Sequence, residues 1–105
     1  MRITISHERS KTDVMQSIDR SLNDILHGPS GLPIKLTIER RNWEGSILTF
    51  AAIAKMGFVS TPIKGTVEVT DHDLTIDADL GLLNKFVPEN TARDLIRSRV
   101  KGLLK

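Results

Sequence analysis

Aspartates near the middle of the second half of the chain have the spacing best suited to chemistry. Asp77 and Asp79 are two positions apart in DLTIDADL, so they share one side of a predicted strand. A carboxylate pair of this kind can act as general acid and base, or can hold a divalent cation. Asp71 and Asp73 flank His72 in a predicted turn just before that strand. Proton transfer and cation binding are therefore the first functions to consider for these residues.

The neighbouring charges favour a simpler interpretation of these carboxylates. Lys64 and Glu68 lie on the outer side of the preceding predicted strand. The aspartates then belong to a lattice of solvated charges on an open sheet face, with no loop to enclose a substrate. We expect no catalytic residue here, and a small enzyme using Asp77, Asp79 or His72 is the alternative.

The remaining reactive side chains form no recognisable motif. The three histidines, His7, His27 and His72, have no metal-binding spacing, and we expect them to have surface roles, with His27 in the last turn of a helix. There is no cysteine, so disulfides and thiolate chemistry are excluded. No nucleophile elbow or phosphate-binding glycine loop is present. We therefore predict no metal and no cofactor.

Length and composition predict one soluble domain. The 105 residues suit a single domain spanning 1–105. The net charge of +2 does not by itself favour nucleic acid, which is the least favoured partner. The start of the chain lacks a signal-peptide pattern. The longest apolar run, Phe50 to Ala54, is far shorter than the ~20 residues of a transmembrane helix. We expect a cytoplasmic protein.

The spacing of apolar residues predicts the elements in the order β-α-β-β-β-β-α. Residues 2–6 alternate as a short strand, and a helix follows from Lys11 to His27. Four alternating segments come next, separated by turns at Asn42–Ser46, at Gly57 and at residues 71–73. Arg41 is expected on the outer side of its strand, opposite to Leu36 and Ile38. A last amphipathic helix begins at Pro88 or Thr91.

Each of the four segments has one apolar side and one largely polar side. This pattern predicts an antiparallel sheet with one buried face, covered by the N-terminal and C-terminal helices in a two-layer α+β fold. Small residues on the apolar side predict a close approach of a helix. They are Ala52, Ala54, Gly65 and Ala78.

Two surface features are candidates for contact with a partner. Basic residues recur every four positions in the last helix, at Arg93, Arg97, Lys101 and Lys105. They predict a basic stripe, which can contact anionic surfaces or can simply be the solvated side of a packed helix. Met56 and Phe58 flank Gly57 at a predicted hairpin tip. Exposed, they would form an apolar patch for a partner or a second copy; alternatively, Phe58 folds into the core.

The whole arrangement resembles the putative polyhydroxyalkanoic acid system family of small bacterial proteins. The resemblance rests on the opening ITISH, the first helix, and Gly57, together with further motifs along the chain: Trp43-Glu44-Gly45, Leu48-Thr49-Phe50, Gly65-Thr66-Val67-Glu68-Val69 and the segment from Leu80 to Phe86 before the basic helix. Family members often have proline after the leucine that matches Leu80, whereas this chain has Gly81.

The resemblance implies a setting and no catalytic residues. It implies a non-enzymatic accessory protein of polyester storage that contacts the granule surface or a granule-associated protein. The element order also looks like a reduced helix-grip fold, whose larger members hold apolar ligands between helix and sheet. A carrier or sensor of a small apolar molecule is thus the alternative function. Exposed sheet edges favour a partner strand, so a homodimer is a further expectation.

Overall fold

A computed structural model describes residues 1–26, 35–85 and 88–104. Its elements, in chain order, are β1 (Arg2–Ser6), α1 (Lys11–Leu26), β2 (Lys35–Glu44), β3 (Ile47–Met56), β4 (Val59–Val69), β5 (Asp73–Asp79), a 3-10 helix (Gly81–Lys85) and α2 (Glu89–Leu103). This order confirms the predicted α+β fold. The predicted end of the first helix at His27 lies outside the described residues.

The five strands form one antiparallel sheet in the order β1-β5-β4-β3-β2. Strands β2 to β5 follow one another as hairpins, whereas β1 pairs with the distant β5, with Ile3 opposite Ile76. The connection from β1 to β2 therefore runs from one edge of the sheet to the other. Both β1 and β2 are edge strands.

The alternating apolar residues lie on a single side of the sheet, as predicted. Leu48 pairs with Val67, and Val67 with Ile76, and side chains opposite one another in a ladder point to the same face. These residues are buried together with Phe50. The helices complete the core with Val14, Ile18 and Leu22 from α1 and Val100 from α2.

The two helices begin differently. The backbone N–H of Asp13 donates to Ser10 Oγ at 3.1 Å, which caps the first turn of α1. Helix α2 follows Pro88 without a side-chain cap. It lies alongside β1, with Val100 completely buried. No helix in the described ranges is both long enough and apolar enough to cross a membrane.

Strand β2 departs from the prediction in two ways. It continues through Asn42 to Glu44, and the turn is only Gly45 and Ser46, with Gly45 at φ 60°. The predicted turn was therefore too long. The register also shifts between Ile38 and Arg40, which leaves Glu39 as the extra residue of a β-bulge.

The bulge changes the side on which Arg41 lies. Arg41 pairs with Phe50, whose side chain is in the core. The Arg41 Nη1 donates to the Asp19 carbonyl in α1 at 2.9 Å. The prediction that Arg41 faces outward is wrong, because the inserted residue reverses the alternation beyond it.

Gly65 makes room for an aromatic ring in the core. A Cβ built on Gly65 would lie 2.6 Å from Phe50 Cζ and 2.7 Å from the Asp77 carbonyl oxygen. Phe50 is also its partner in the ladder. A helix was predicted to approach the sheet closely at this small residue, whereas the nearest atoms belong to Phe50 and Asp77 of the sheet itself.

Candidate contact surfaces

The hairpin of β3 and β4 extends beyond the end of β5. The last residue of β5, Asp79, pairs with Lys64, so the part of β4 from Val59 to Ile63 has no partner strand on that side. The 3-10 helix takes this place, and the Leu82 N–H donates to Thr61 Oγ1 at 3.0 Å. The projecting end is therefore built by the hairpin and the 3-10 helix together.

Of the described large apolar residues at this end, Phe58 is the most exposed. Gly57 adopts φ 58°, which permits a tight turn between Met56 and Val59. The turn leaves Phe58 with a relative exposure of 108%. Leu82, at the same end, is 46% exposed. An exposed aromatic ring at a hairpin turn is an apolar surface that a partner can cover.

Met56 and Phe58 have different surroundings. Met56 is half-buried and packs against the core, since it continues the inward side of β3 after Ala54. The two residues predicted to form one patch therefore divide between the core boundary and the solvent. Only Phe58 of the pair is available for contact.

Three lysines lie on the strands and the 3-10 helix that form this end. Lys35 is opposite Lys55, and Lys55 is opposite Ser60, close to the turn. Lys85 closes the 3-10 helix. All three lysines are exposed. We call the surface formed by Lys35, Lys55, Phe58, Leu82 and Lys85 the hairpin end.

The hairpin end is both apolar and basic. The segments that build it contain no acidic residue: their charged residues are Lys35, Lys55 and Lys85, in ranges 35–38, 52–56, 59–63 and 81–85. Lys35, Lys55, Leu82 and Lys85 are not among the contact residues predicted from the sequence. Their spacing along the chain carries no signal, because they belong to separate elements that the sheet register brings to one end.

The basic residues of α2 do not form a uniform stripe. Lys101 is exposed, whereas Arg93 and Arg97 are half-buried. The buried Nε of Arg93 has no hydrogen-bond partner within the described structure. Asp94 shares a shallow surface depression with Arg97 and Lys101 and reduces the positive charge there. Lys105, the fourth predicted member, lies outside the described residues.

The two predicted contact surfaces lie apart on the molecule. Lys101 borders a groove with Ile5 and His7, at the end of the sheet where Ile5 pairs with Leu74 and Leu74 with Val69. Phe58 is beyond the opposite end of β4, an 11-residue strand about 35 Å long. A single flat partner surface therefore cannot contact Phe58 and the basic residues of α2 at the same time without tilting away from one of them.

The aspartates lie on the open face of the sheet. Asp77 is exposed, opposite Arg2 and Thr66. Asp79 is opposite Lys64, and its Oδ1 accepts the Gly81 N–H at 3.0 Å. An open depression of about 730 Å³ on this face is bordered by both aspartates and Lys64. In the described part of the chain, no three His, Asp or Glu side chains form a metal-binding group.

His7 is buried, so a surface role was the wrong expectation for this residue. Its relative exposure is 6%. The ring Nε2 lies 2.9 Å from the Thr70 carbonyl, and Nδ1 lies 3.3 Å from the Arg9 backbone N. A backbone N–H can only donate, so Nδ1 accepts and Nε2–H donates to Thr70. His7 thereby joins the end of β1 to the turn after β4, while His72 is exposed.

Comparisons of this chain with protein-family models, with curated proteins and with solved structures return no match. The resemblance described above therefore depends on the motif residues themselves. Of these, Gly45 and Gly57 form the two hairpin turns, and Leu48 and Phe50 build the core.

Proposed function

We propose that this protein is a non-enzymatic accessory protein of polyhydroxyalkanoate storage, and that its hairpin end contacts the granule surface. The observation that carries the proposal is the complete exposure of Phe58 at a projecting turn. The resemblance of the motif residues supplies the setting, which is the cytoplasm of a polyester-storing cell.

The chemistry of a polyester granule matches the hairpin end. Its surface is apolar, and each polyester chain can end in a carboxylate. Covering a phenylalanine side chain is worth about 1.5–3 kcal/mol relative to leaving it in water. Lys35, Lys55 and Lys85 are exposed on the elements that build the hairpin end, and carboxylates or other anionic groups at the granule surface would attract them.

Sedimentation with purified granules tests this proposal. Phe58→Asp should lower the bound fraction at least fivefold, because it removes the apolar contact and adds a negative charge. Ile47→Asp is the matched control, since Ile47 is 40% exposed at the other end of β3. Lys55→Glu should weaken binding less than Phe58→Asp, with a larger effect at low salt.

Equal loss with Phe58→Asp and Ile47→Asp would contradict a role for the hairpin end. Binding to granules stripped of protein supports direct contact with the polyester surface. Binding only to granules that retain their proteins would instead assign the hairpin end to a granule-associated protein.

The carrier hypothesis has one observation in its favour. A groove of about 420 Å³ lies between the end of β1 and α2, with Ile5 and Leu104 among its lining residues. His7, Glu8 and Lys101 also border it, which favours an amphiphile with a charged head. Titration with a fluorescent fatty acid tests the groove, and Leu104→Asp should abolish any saturable binding. Failure of the native protein to saturate would remove this alternative.

A further inference from the structure

Among the described residues, strand β2 has a neighbouring strand on one side only, so it forms an open edge of the sheet and is incompletely buried. It pairs with β3 on one side, and its other side borders a cleft of about 390 Å³ beside residues 36–41. None of its ten residues is buried. Leu36, Ile38 and Trp43 face the core side and remain half-exposed. A strand added to this edge would complete their burial.

The hairpin geometry determines which backbone groups face the open edge. Glu44 and Ile47 flank a two-residue turn, and such a pair exchanges both of its hydrogen bonds across the hairpin. Alternation then directs the N–H and C=O of Trp43 and Arg41 away from β3. Beyond the bulge the same holds for Ile38 and Leu36. These four residues offer donors and acceptors to a further antiparallel strand.

We infer that the occupant of this edge is a second copy of the same chain, with the two β2 strands antiparallel about a twofold axis between Glu39 and Arg40. In this register every residue of β2 has a partner. The pairs are Lys35 with Glu44, Leu36 with Trp43, Thr37 with Asn42, Ile38 with Arg41, and Glu39 with Arg40. The same surface serves both copies, as a closed twofold dimer requires.

The charges of β2 are complementary in this register. Lys35 of each copy faces Glu44 of the other, and Glu39 of each copy faces Arg40 of the other. The twofold axis repeats each pair, so four opposite-charge pairs form across the edge. Opposite charges in facing cross-strand positions stabilise a ladder, and like charges destabilise it.

The bulge makes this register compatible with the two faces of the sheet. In a regular strand, even-numbered and odd-numbered residues point to opposite faces of the sheet. Each pair in this register joins an even-numbered residue to an odd-numbered one, so without a bulge the paired side chains would lie on opposite faces. The extra residue Glu39 reverses the alternation at the centre of β2. Leu36 and Trp43 therefore both lie on the core side, and Thr37 and Asn42 both lie on the outer side. The dimer keeps one apolar face throughout.

Shifted registers lose this complementarity. A shift by two positions in one direction places Arg40 opposite Arg41, which are like charges. A shift by two in the other direction leaves Trp43 and Glu44 beyond the end of the partner strand and forms neither ion pair. Charges and bulges also protect edge strands from association. Protection of an edge strand from association requires only that it carry charge. In β2, by contrast, each positive residue of the two ion pairs faces a negative one, Lys35 with Glu44 and Arg40 with Glu39.

Charge reversal at the centre of β2 tests the inference. Glu39→Arg should place Arg opposite Arg40 twice in each dimer, and Arg40→Glu should place Glu opposite Glu39 twice. Each single change should raise the dimer Kd about tenfold. The double variant Glu39→Arg with Arg40→Glu restores opposite charges and should return the Kd to within about twofold of the native value. The control is Arg2→Glu in β1, which should leave the Kd unchanged.

Sedimentation velocity over a concentration series, without granules, gives the Kd directly. The inference expects a native mass near twice the 11.7 kDa of the chain. A native protein that stays monomeric up to about 1 mM overturns it. A dimer that the single reversals do not weaken, or that the double variant does not rescue, overturns the β2 register. Far-ultraviolet circular dichroism confirms that each variant is folded. The reversed residues Glu39 and Arg40 lie outside the hairpin end, and Lys35, which belongs to both surfaces, is changed in neither experiment. Either proposal can therefore fail without the other.

Discussion

The two edge strands of this sheet, β1 and β2, differ in how well their unpaired sides are covered. In the part of the chain that the structure describes, both β1 and β2 have a strand partner on one side only. Strand β1 has five residues, and its inward side chains Ile3 and Ile5 are only 1% and 3% exposed. Strand β2 has ten residues and none of them is buried. The shorter edge is closed, and the longer edge is open.

The difference arises from what packs beside each edge. Helix α2 lies alongside β1 and inserts Val100 into the core, and His7 ties the end of β1 to Thr70. At β2, the described hydrogen bonds with α1 run from Arg41 and Trp43 to Asp19, while Leu36 and Ile38 are only partly covered by the core. An edge closed by a helix contributes to stability, while an open edge is available for recognition.

The largest difference in stability is expected when an apolar residue is truncated in β1 and, for comparison, in β2. Ile3→Ala removes a side chain that is 1% exposed and should lower the free energy of unfolding by about 3 kcal/mol. Ile38→Ala in β2 should cost about 1 kcal/mol, because its side chain is already half in water. Urea unfolding at a concentration where the chain is monomeric measures both. Equal costs would show that β2 is as well covered as β1.

The polar attachment of β1 should have the next largest effect. His7→Ala leaves the Thr70 carbonyl and the Arg9 N–H without their ring partner and should cost about 2 kcal/mol. His72→Ala is the matched control, since that side chain is exposed and should change stability by less than about 0.5 kcal/mol. Thermal and urea unfolding both report the difference. A similarly small loss of stability for the two variants would show that His7 does not stabilise the closed edge.

The polar attachment of β2 should be weaker. The Trp43 Nε1–H donates to Asp19 Oδ1 at 3.0 Å, so Trp43→Phe should cost about 1 kcal/mol. Asp19→Ala should cost a similar amount. The double variant should cost less than the sum of the two by about 0.5 kcal/mol or more, because the two residues share one hydrogen bond. Additive costs in urea unfolding would show that this bond does not couple α1 to β2.

The smallest effect is expected on the outer side of α2, which lies beside the closed edge. Reversing Arg97 and Lys101 together to Glu should change the free energy of unfolding by about 0.5 kcal/mol or less, through the helix dipole. Granule sedimentation should stay within twofold of the native protein, while Phe58→Asp reduces it. A larger loss with the α2 variant would make the basic helix, and not the hairpin end, the contact surface.

Much of the fold follows from residue patterns. The element order, the inward side of Leu48, Phe50 and Ile76, and the turn glycines Gly45 and Gly57 are all predicted by spacing and residue type. The bulge at Glu39 is not, because an inserted residue in a polar strand leaves no mark on composition. Burial of His7 is also missed, since it depends on the turn at Thr70, more than sixty residues away.

The candidate surfaces show the same division. Phe58 is predicted as a hairpin-tip residue because Gly57 marks the turn. Its separation from Met56 is decided by the alternation of β3, which turns Met56 inward. Lys35 and Lys55 of the hairpin end come together only through the register of β2 with β3.

The amino-acid sequence by itself determines the helices and strands, since the relevant periodicities involve residues two to four positions apart. It also determines which side of each strand is apolar, except beyond the bulge. Only the tertiary structure decides that β1 joins β5 and is closed by α2, while β2 remains an open edge. That choice depends on contacts between distant parts of the chain, which local patterns do not encode.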